Sequence, residues 1–475
     1  MSIQLAPPRP GRARPSAQQP TAARTRRDPA LVTGVAAVSL GVLAVLVLAL
    51  VVGGGRPAPA APGLGGAAGL TGWGLPVATL ASHVAAVGTV GSLLFGAYLA
   101  RSRDGLLRGA AARAVRSASW WAAGWTVAVT ATVVLTVSDQ LGVPVRALTP
   151  RAVLDVVTGV DQGRALVAVV VLAAVIAVCA RRCRTLRGAD LLLVGAVVAV
   201  LPPTLTGHAA TADNHQVAVV SLMVHVLSAT VWVGGLLALV AFGRKASASL
   251  PRAAGRFSEL ALVCFVGAGV SGLLNAYIVL GGGTQALDAL TTSGYGWLVL
   301  GKLAALVVLG AFGWWHRRRT LRHLAGGRPS AFRRFAAAEV VVLLATVAMG
   351  VALARAPTPA PDVPAAAAPS APSAAGEASA AGPAQDMSGH DHGELVVGIL
   401  VTEGNFMVAG PVPAGGTVSV LNGEDRPQSI TAEDGSFDVE APPGSLFLFD
   451  APQTPGEYPF FSSEDPSYRG VLVVR

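Results

Sequence analysis

Nine long apolar runs punctuate this chain, and nothing else in it limits the fold so strongly. They lie at about 31–52, 75–100, 117–138, 164–180, 190–207, 217–242, 258–280, 296–315 and 335–354. A hydrocarbon core of about 30 Å takes roughly 20 residues of helix at 1.5 Å per residue. Most runs meet that length, and 164–180 is the shortest. Within lipid each backbone N–H and C=O has to be paired inside its own segment, so the runs are expected as helices. Composition agrees, with 52% apolar and 13% charged residues and a mean hydropathy of +0.58. That charge content is about half the share of a soluble domain, which excludes an ordinary soluble enzyme.

The basic residues set the direction of threading. With the N-terminus inside, the segments 1–29, 101–116, 181–187, 243–256 and 316–334 carry 26 of the 35 Lys and Arg residues. The outer loops hold only Arg56, Arg146, Arg151 and, at a helix start, Arg164. This asymmetry predicts nine spans, N-terminus in and C-terminus out. The net charge of +9 is explained by the same clusters, so nucleic acid is not an expected partner. Cys179, Cys183 and Cys264 all fall at or near inner helix ends, and the tail has no disulfide framework.

Four segments follow. Residues 1–29 read as a disordered cytoplasmic arm, and 30–355 as the membrane domain, its first run a retained anchor rather than a signal peptide. Residues 356–393 are an Ala/Pro-rich linker. From 394 to 475 short β-rich runs, Leu395–Val401, Thr417–Leu421, Ser445–Phe449 and Gly470–Val474, alternate with Gly, Pro and Asp turns. They predict a small all-β sandwich outside the membrane. The fold class is therefore an all-α polytopic membrane bundle of nine transmembrane helices plus that sandwich.

An internal echo runs through the bundle. Thr79 precedes His83 by four residues in the second run, and Ser221 precedes His225 by four in the sixth. Each His is followed by a Gly-rich stretch and an Arg-rich inner loop. The pattern suggests two related four-helix halves, spans two to five and six to nine.

Ionisable groups inside a bilayer are costly and draw attention to function. His83 and His225 each sit eight residues into their runs from the outer side, about 12 Å deep. His208 ends the fifth run after the Pro202-Pro203 interruption, and His215 leads into the sixth. Two imidazoles at one depth on different helices suit a metal entering from outside: copper, zinc, iron or nickel. The blander alternative is hydrogen bonding between helices, with Thr79 and Ser221 as local partners. Met387, His390 and His392 form a thioether–imidazole cluster in the linker, suited to weak metal capture. No nucleotide-binding loop, phosphorylatable Asp motif or nucleophile–base set occurs, so no enzyme activity is expected.

Leu205-Thr-Gly-His208, His225 followed by Trp232-Val-Gly-Gly235, Arg256-Phe-Ser258, Ser271-Gly-Leu-Leu-Asn275 and Tyr295-Gly-Trp-Leu-Val-Leu-Gly-Lys302 resemble the copper-resistance D family. The resemblance is clearest over about 200–320 and looser over 75–200. It departs at Trp315-His316-Arg317, where related proteins often carry an Asn-Arg pair. It implies a multi-pass protein of the bacterial cytoplasmic membrane engaged in copper uptake or homeostasis. Copper ions are then the expected ligand, an extracytoplasmic copper chaperone a candidate partner, and lipid the surroundings. The metal-site candidates are His83, His208, His215, His225, Met387, His390 and His392. The alternatives are a b-type haem protein, since paired His on facing helices also ligate haem iron, and a non-transporting copper chaperone or scaffold for oxidase assembly.

The tail is similar to a cupredoxin at Thr417-Val-Ser-Val-Leu-Asn422, Gly435-Ser-Phe-Asp438, Pro443-Gly444 and Pro455-Gly-Glu-Tyr458. A blue-copper site needs two His, a Cys and usually a weak axial Met. The matching positions here are Gln428, Asp465, Ser462 and Tyr468, so a cupredoxin-like domain without type 1 copper is expected.

Overall fold

A computed structural model describes residues 29–57, 69–102, 104–140, 144–206, 215–243, 250–315, 318, 329–358, 398–402, 405–408, 411–412, 414–422, 424, 426–442 and 446–475. The chain divides into two units, 1–41 and 42–475. His208, Met387, His390 and His392 lie outside the described residues, as does the side chain of His215.

The described helices are α1 (Pro29–Val52), α2 (Gly69–Leu94), α3 (Gly109–Gln140), α4 (Pro150–Gly159), α5 (Asp161–Arg182), α6 (Leu186–Val198), α7 (His215–Gly243), α8 (Leu250–Val279), α9 (Gly283–Thr292), α10 (Gly294–Trp315) and α11 (Pro329–Leu353). Nine helical segments among the described residues are long and apolar enough to cross a membrane, one at each apolar run. Several outgrow their runs: α3 starts eight residues early and α8 takes in Arg252 and Arg256. At an interface a helix continues past the hydrocarbon because Arg side chains reach the headgroups from it.

The echo read in the sequence reappears in the order of elements. Two long helices, α2 and α3, are followed by the 10-residue α4 and the 22-residue α5. In the second half α7 and α8 are followed by the 10-residue α9 and the 22-residue α10. The short helices α4 and α9 were not expected from hydropathy. Thr149 caps the first, its side chain accepting from the Ala152 N–H, as an N-cap threonine does. The second begins at the last of three glycines, Gly281, Gly282 and Gly283, at φ +85°, +69° and +55°, a reversal open at little cost only to glycine.

The two halves meet where α2 crosses α7. A Cβ on Gly91 would collide with the Gly234 carbonyl oxygen, and one on Gly234 would stand 2.6 Å from that of Val87. Only glycine lets the two backbones approach this closely. Further along both helices Leu94 lies beside Gly235, and the Phe95 and Phe242 rings are 5.5 Å apart. Position numbers rise together along the contact, so α2 and α7 run parallel. Trp121 of α3 covers Gly88 on another side of α2, and Phe257 of α8 covers Gly235.

Beyond the membrane domain, eight strands form two four-stranded sheets. They are β1 (Ile399–Thr402), β2 (Asn405–Val408), β3 (Thr417–Asn422), β4 (Gln428–Ala432), β5 (Asp438–Ala441), β6 (Leu446–Asp450), β7 (Gly456–Phe461) and β8 (Arg469–Val474). The orders are β2-β1-β3-β6 and β5-β4-β7-β8, with β1 and β3 parallel. Alternate residues such as Ile399, Val401, Val418 and Val420 from one sheet and Ile430, Phe460 and Leu472 from the other are buried in one core. That is the two-sheet arrangement expected from the short alternating runs.

Candidate metal path

His83 lies on α2, eight residues before Gly91. His225 lies on α7, nine residues before Gly234. Because the helices run parallel and touch at those glycines, both imidazoles sit about 12–14 Å to the same side of the crossing. The two histidines thus stand at similar distances along their helices from the α2–α7 crossing.

The faces can be read from the helical stripes. Pro76 and Val90, seven residues to either side of His83 and so on nearly the same face, are buried, as is Val87 against Gly234. His83 itself is exposed. The outer face of α2, marked by exposed Trp73 and Val77, is about 120° away. His83 thus stands between the buried stripe and the exposed one on α2. On α7 the equivalent positions Ala218 and Trp232 are buried, and His225 between them is half-buried.

His225 is held from α8. Its Nδ1 is 3.0 Å from the Ala268 carbonyl oxygen, with Ser271 Oγ at 3.4 Å. A carbonyl only accepts, so Nδ1 carries the proton in this contact and Nε2 keeps its lone pair. This is the arrangement that orients a metal-ligating imidazole. The local partners expected from sequence are not used. Thr79 donates to the Leu75 carbonyl of its own helix, at 2.9 Å. Ser221 donates across to the Ser271 carbonyl at 3.0 Å and accepts from Asn275 Nδ2 at 3.1 Å. The bland reading of cross-helix hydrogen bonding is met at Nδ1 of His225, and it leaves the second nitrogen available.

Several residues that carried the family resemblance prove to be helix contacts. Ser271 and Asn275 build the polar seam between α7 and α8. Arg256 donates to the Tyr98 carbonyl at 2.8 Å, tying α8 to the turn that ends α2. Trp232 meets Phe265 edge-on at 5.7 Å.

Lys302 on α10 is a neighbour the sequence did not assign. It is half-buried, within coulombic range of His225, and a Cβ on Gly350 of α11 would lie 3.8 Å from its Nζ. A charged ammonium there opposes any cation held by His225. Met349, a thioether that could have entered the path, instead places its methyl against Gly301. Glu339, buried on α11, is packed between helices. Among the described residues no group of three His, Cys, Asp or Glu side chains converges on one point.

In the β domain three of the four positions matched to a blue-copper site do converge, around a residue that sequence reasoning missed. Glu424, 3% exposed at its side chain, accepts from Tyr468 Oη at 2.7 Å and from Gln428 Nε2 at 3.0 Å. Ser462 Oγ donates to Gln428 Oε1 at 2.7 Å. The fourth, Asp465, turns outward to Ser467, whose hydrogen bonds hold its carboxyl below the ordinary range. Oxygen and amide groups fill the space, with no soft donor for copper among them.

Two family models match the chain: the N-terminal domain of copper resistance protein D-like proteins over residues 70–218, and copper resistance protein D over 251–353. The first contains His83. His225 falls in the interval between the two matches. Among curated proteins the copper transport protein CutJ of Bacillus subtilis (strain 168) is 30% identical over 168 residues, 34% of this chain and 30% of CutJ. The chain thus aligns with under a third of that relative's length. No solved structure matches. These two stretches cover the helices from α2 to α11 apart from most of α7, and over them the chain is similar to copper resistance protein D.

Proposed function

We propose that this protein moves copper inward across the bacterial cytoplasmic membrane, with His83 and His225 as ligands on the path. What supports the reading is a pair of histidines at similar distances from the crossing of two parallel helices that touch through glycine, one of them held by a hydrogen bond to α8. The hydrogen-bonded Nδ1 of His225 leaves Nε2 as the donor. Met387, His390 and His392 gather ions outside, and His208 and His215 receive them at the outer mouth. The basic-residue asymmetry puts that mouth and the β domain on the external side. Copper is the cargo, and the chain performs no covalent chemistry on it. The similarity to a protein named for copper transport supports the choice of metal.

Purified protein in proteoliposomes tests the proposal. Copper accumulates inside with the wild type, and uptake falls at least about tenfold in the His83→Ala, His225→Ala double variant, since loss of two ligands costs well over 1.4 kcal/mol. Copper that binds without accumulating would favour a chaperone or scaffold. A haem band in the reduced-minus-oxidised spectrum would replace copper with haem.

A further inference from the structure

We propose that Cys179 and Cys183 form a two-thiolate site for a soft monovalent cation, on the membrane face opposite the histidine level. Naming Cu(I) as the occupant rests on the copper reading above; the site itself rests on its own geometry.

Cys179 lies in the last turn of α5, and Cys183 is the residue that ends it. Four residues apart, their Cβ atoms stand about 5–6 Å from each other on one side of the helix. The buried stripe of α5, Val169, Ala173, Ile176 and Ala180, continues into Cys183. Cys179 is exposed and Cys183 half-exposed, and the two thiols lie within coulombic range of each other. A linear S–metal–S unit spans about twice a metal–thiolate bond of roughly 2.3 Å. Two side chains at this spacing reach that span by rotation about χ1.

The surroundings suit an anionic product. The Cys183 Sγ lies against Gly188, where a Cβ would stand 3.0 Å from it. Gly188 is in the first turn of α6, its N–H donating to the capping Thr185 hydroxyl at 3.1 Å, and the Cys183 thiol reaches the Thr185 carbonyl at 3.5 Å. Arg181, Arg182, Arg184 and Arg187 surround the pair in sequence. They offset the negative end of the α5 dipole. The connection is also braced. Leu107 N–H donates to the Arg184 carbonyl and Leu186 N–H to the Gly105 carbonyl, each at 2.9 Å. Arg181 stacks 4.9 Å over Trp120 of α3.

Position gives the pair its meaning. These braces come from the segment that follows α2, and Leu99, where α2's turn ends, is about 24 Å along the helix from His83. The cysteines thus mark the far face from the histidines. Binding exchanges protons for metal: Cu⁺ with two thiols gives a dithiolate complex of charge −1 and two released protons. No oxidant or reductant is consumed. Imidazole on one face and thiolate on the other orders the donors from intermediate to soft, the sequence a path for Cu(I) would use at its exit.

The full-length protein, titrated with Cu(I) against a chromogenic Cu(I) chelator, tests this. One equivalent is expected to give thiolate-to-copper charge-transfer absorption in the near ultraviolet. That band is lost in Cys179→Ser, Cys183→Ser and kept in Cys264→Ser. It also survives in the His83→Ala, His225→Ala variant, so the two proposals fail separately. In the wild type the same equivalent should slow alkylation of both thiols at least about tenfold. A band that survives the double cysteine variant, or alkylation unaffected by Cu(I), would overturn the site.

Discussion

Glu424 shows how much one side chain can decide. A carboxylate buried in a β core is tolerated only when its oxygens are hydrogen-bonded. Here Tyr468 and Gln428 supply those bonds at 2.7 and 3.0 Å. Tyr468→Phe removes a hydrogen bond to a charged acceptor and should cost the β domain about 1.5–3 kcal/mol. Urea unfolding followed by tail fluorescence measures it, and an unmoved midpoint would show that Glu424 is satisfied without Tyr468. In the membrane domain Lys302 makes a second residue-scale prediction. Replacing it by Met removes a like charge from the neighbourhood of His225, so copper should bind there tighter by about tenfold. Weaker binding in Lys302→Met would instead make the lysine part of the ligand set's support. Neither residue's role was readable from sequence. The histidines stood out because charge is rare in apolar runs. Which atoms surround them depends on helix rotation, which hydropathy does not report. Glu424 sits among ordinary turn residues, where an acidic side chain gives no sign of burial.

At the scale of elements, apolar length was an excellent guide to where helices cross and a poor guide to what lies between. All nine runs became helices because lipid leaves no other way to pair the backbone. The short α4 and α9 were missed because ten residues of mixed polarity match neither a span nor a loop. Their N-termini are set by local devices, a threonine cap in one and a triple-glycine turn in the other. The glycines of α2 and α7 read only as a small-residue stretch, yet they decide the approach of the two halves. Gly91→Ala would push a methyl into the Gly234 backbone, which has no side chain to rotate away. Such overpacking should cost about 1–3 kcal/mol and separate the helices that carry the histidines. Thermal stability and copper uptake should therefore fall together. Gly124→Ala on α3 is the control, since a Cβ there meets nothing within 4 Å and alanine favours helix over glycine. Equal losses at both positions would mean that helix propensity, and not the close crossing, is being read.

Over the whole molecule, the repeat and the charge asymmetry make one joint demand. If the halves are parallel repeats, α2 and α7 must enter from the same side, and the structure has them parallel. An even number of crossings separates their starts, four spans apart, so the threading and the packing agree. The asymmetry of basic residues then says which side that is, because cytoplasmic loops retain Lys and Arg. In the proposed orientation the histidine level lies outside, the Arg-flanked cysteines inside, and the β domain outside. This orientation can be tested with one reagent. In intact spheroplasts a membrane-impermeant maleimide should label a thiol placed in the tail by Ser463→Cys and leave Cys179 and Cys183 unlabelled. After the membrane is opened, Cys179 should react as well, since it is exposed. The reverse pattern would invert the protein. Histidines would then face the cytoplasm, and the same order of donors would describe copper leaving the cell instead of entering it.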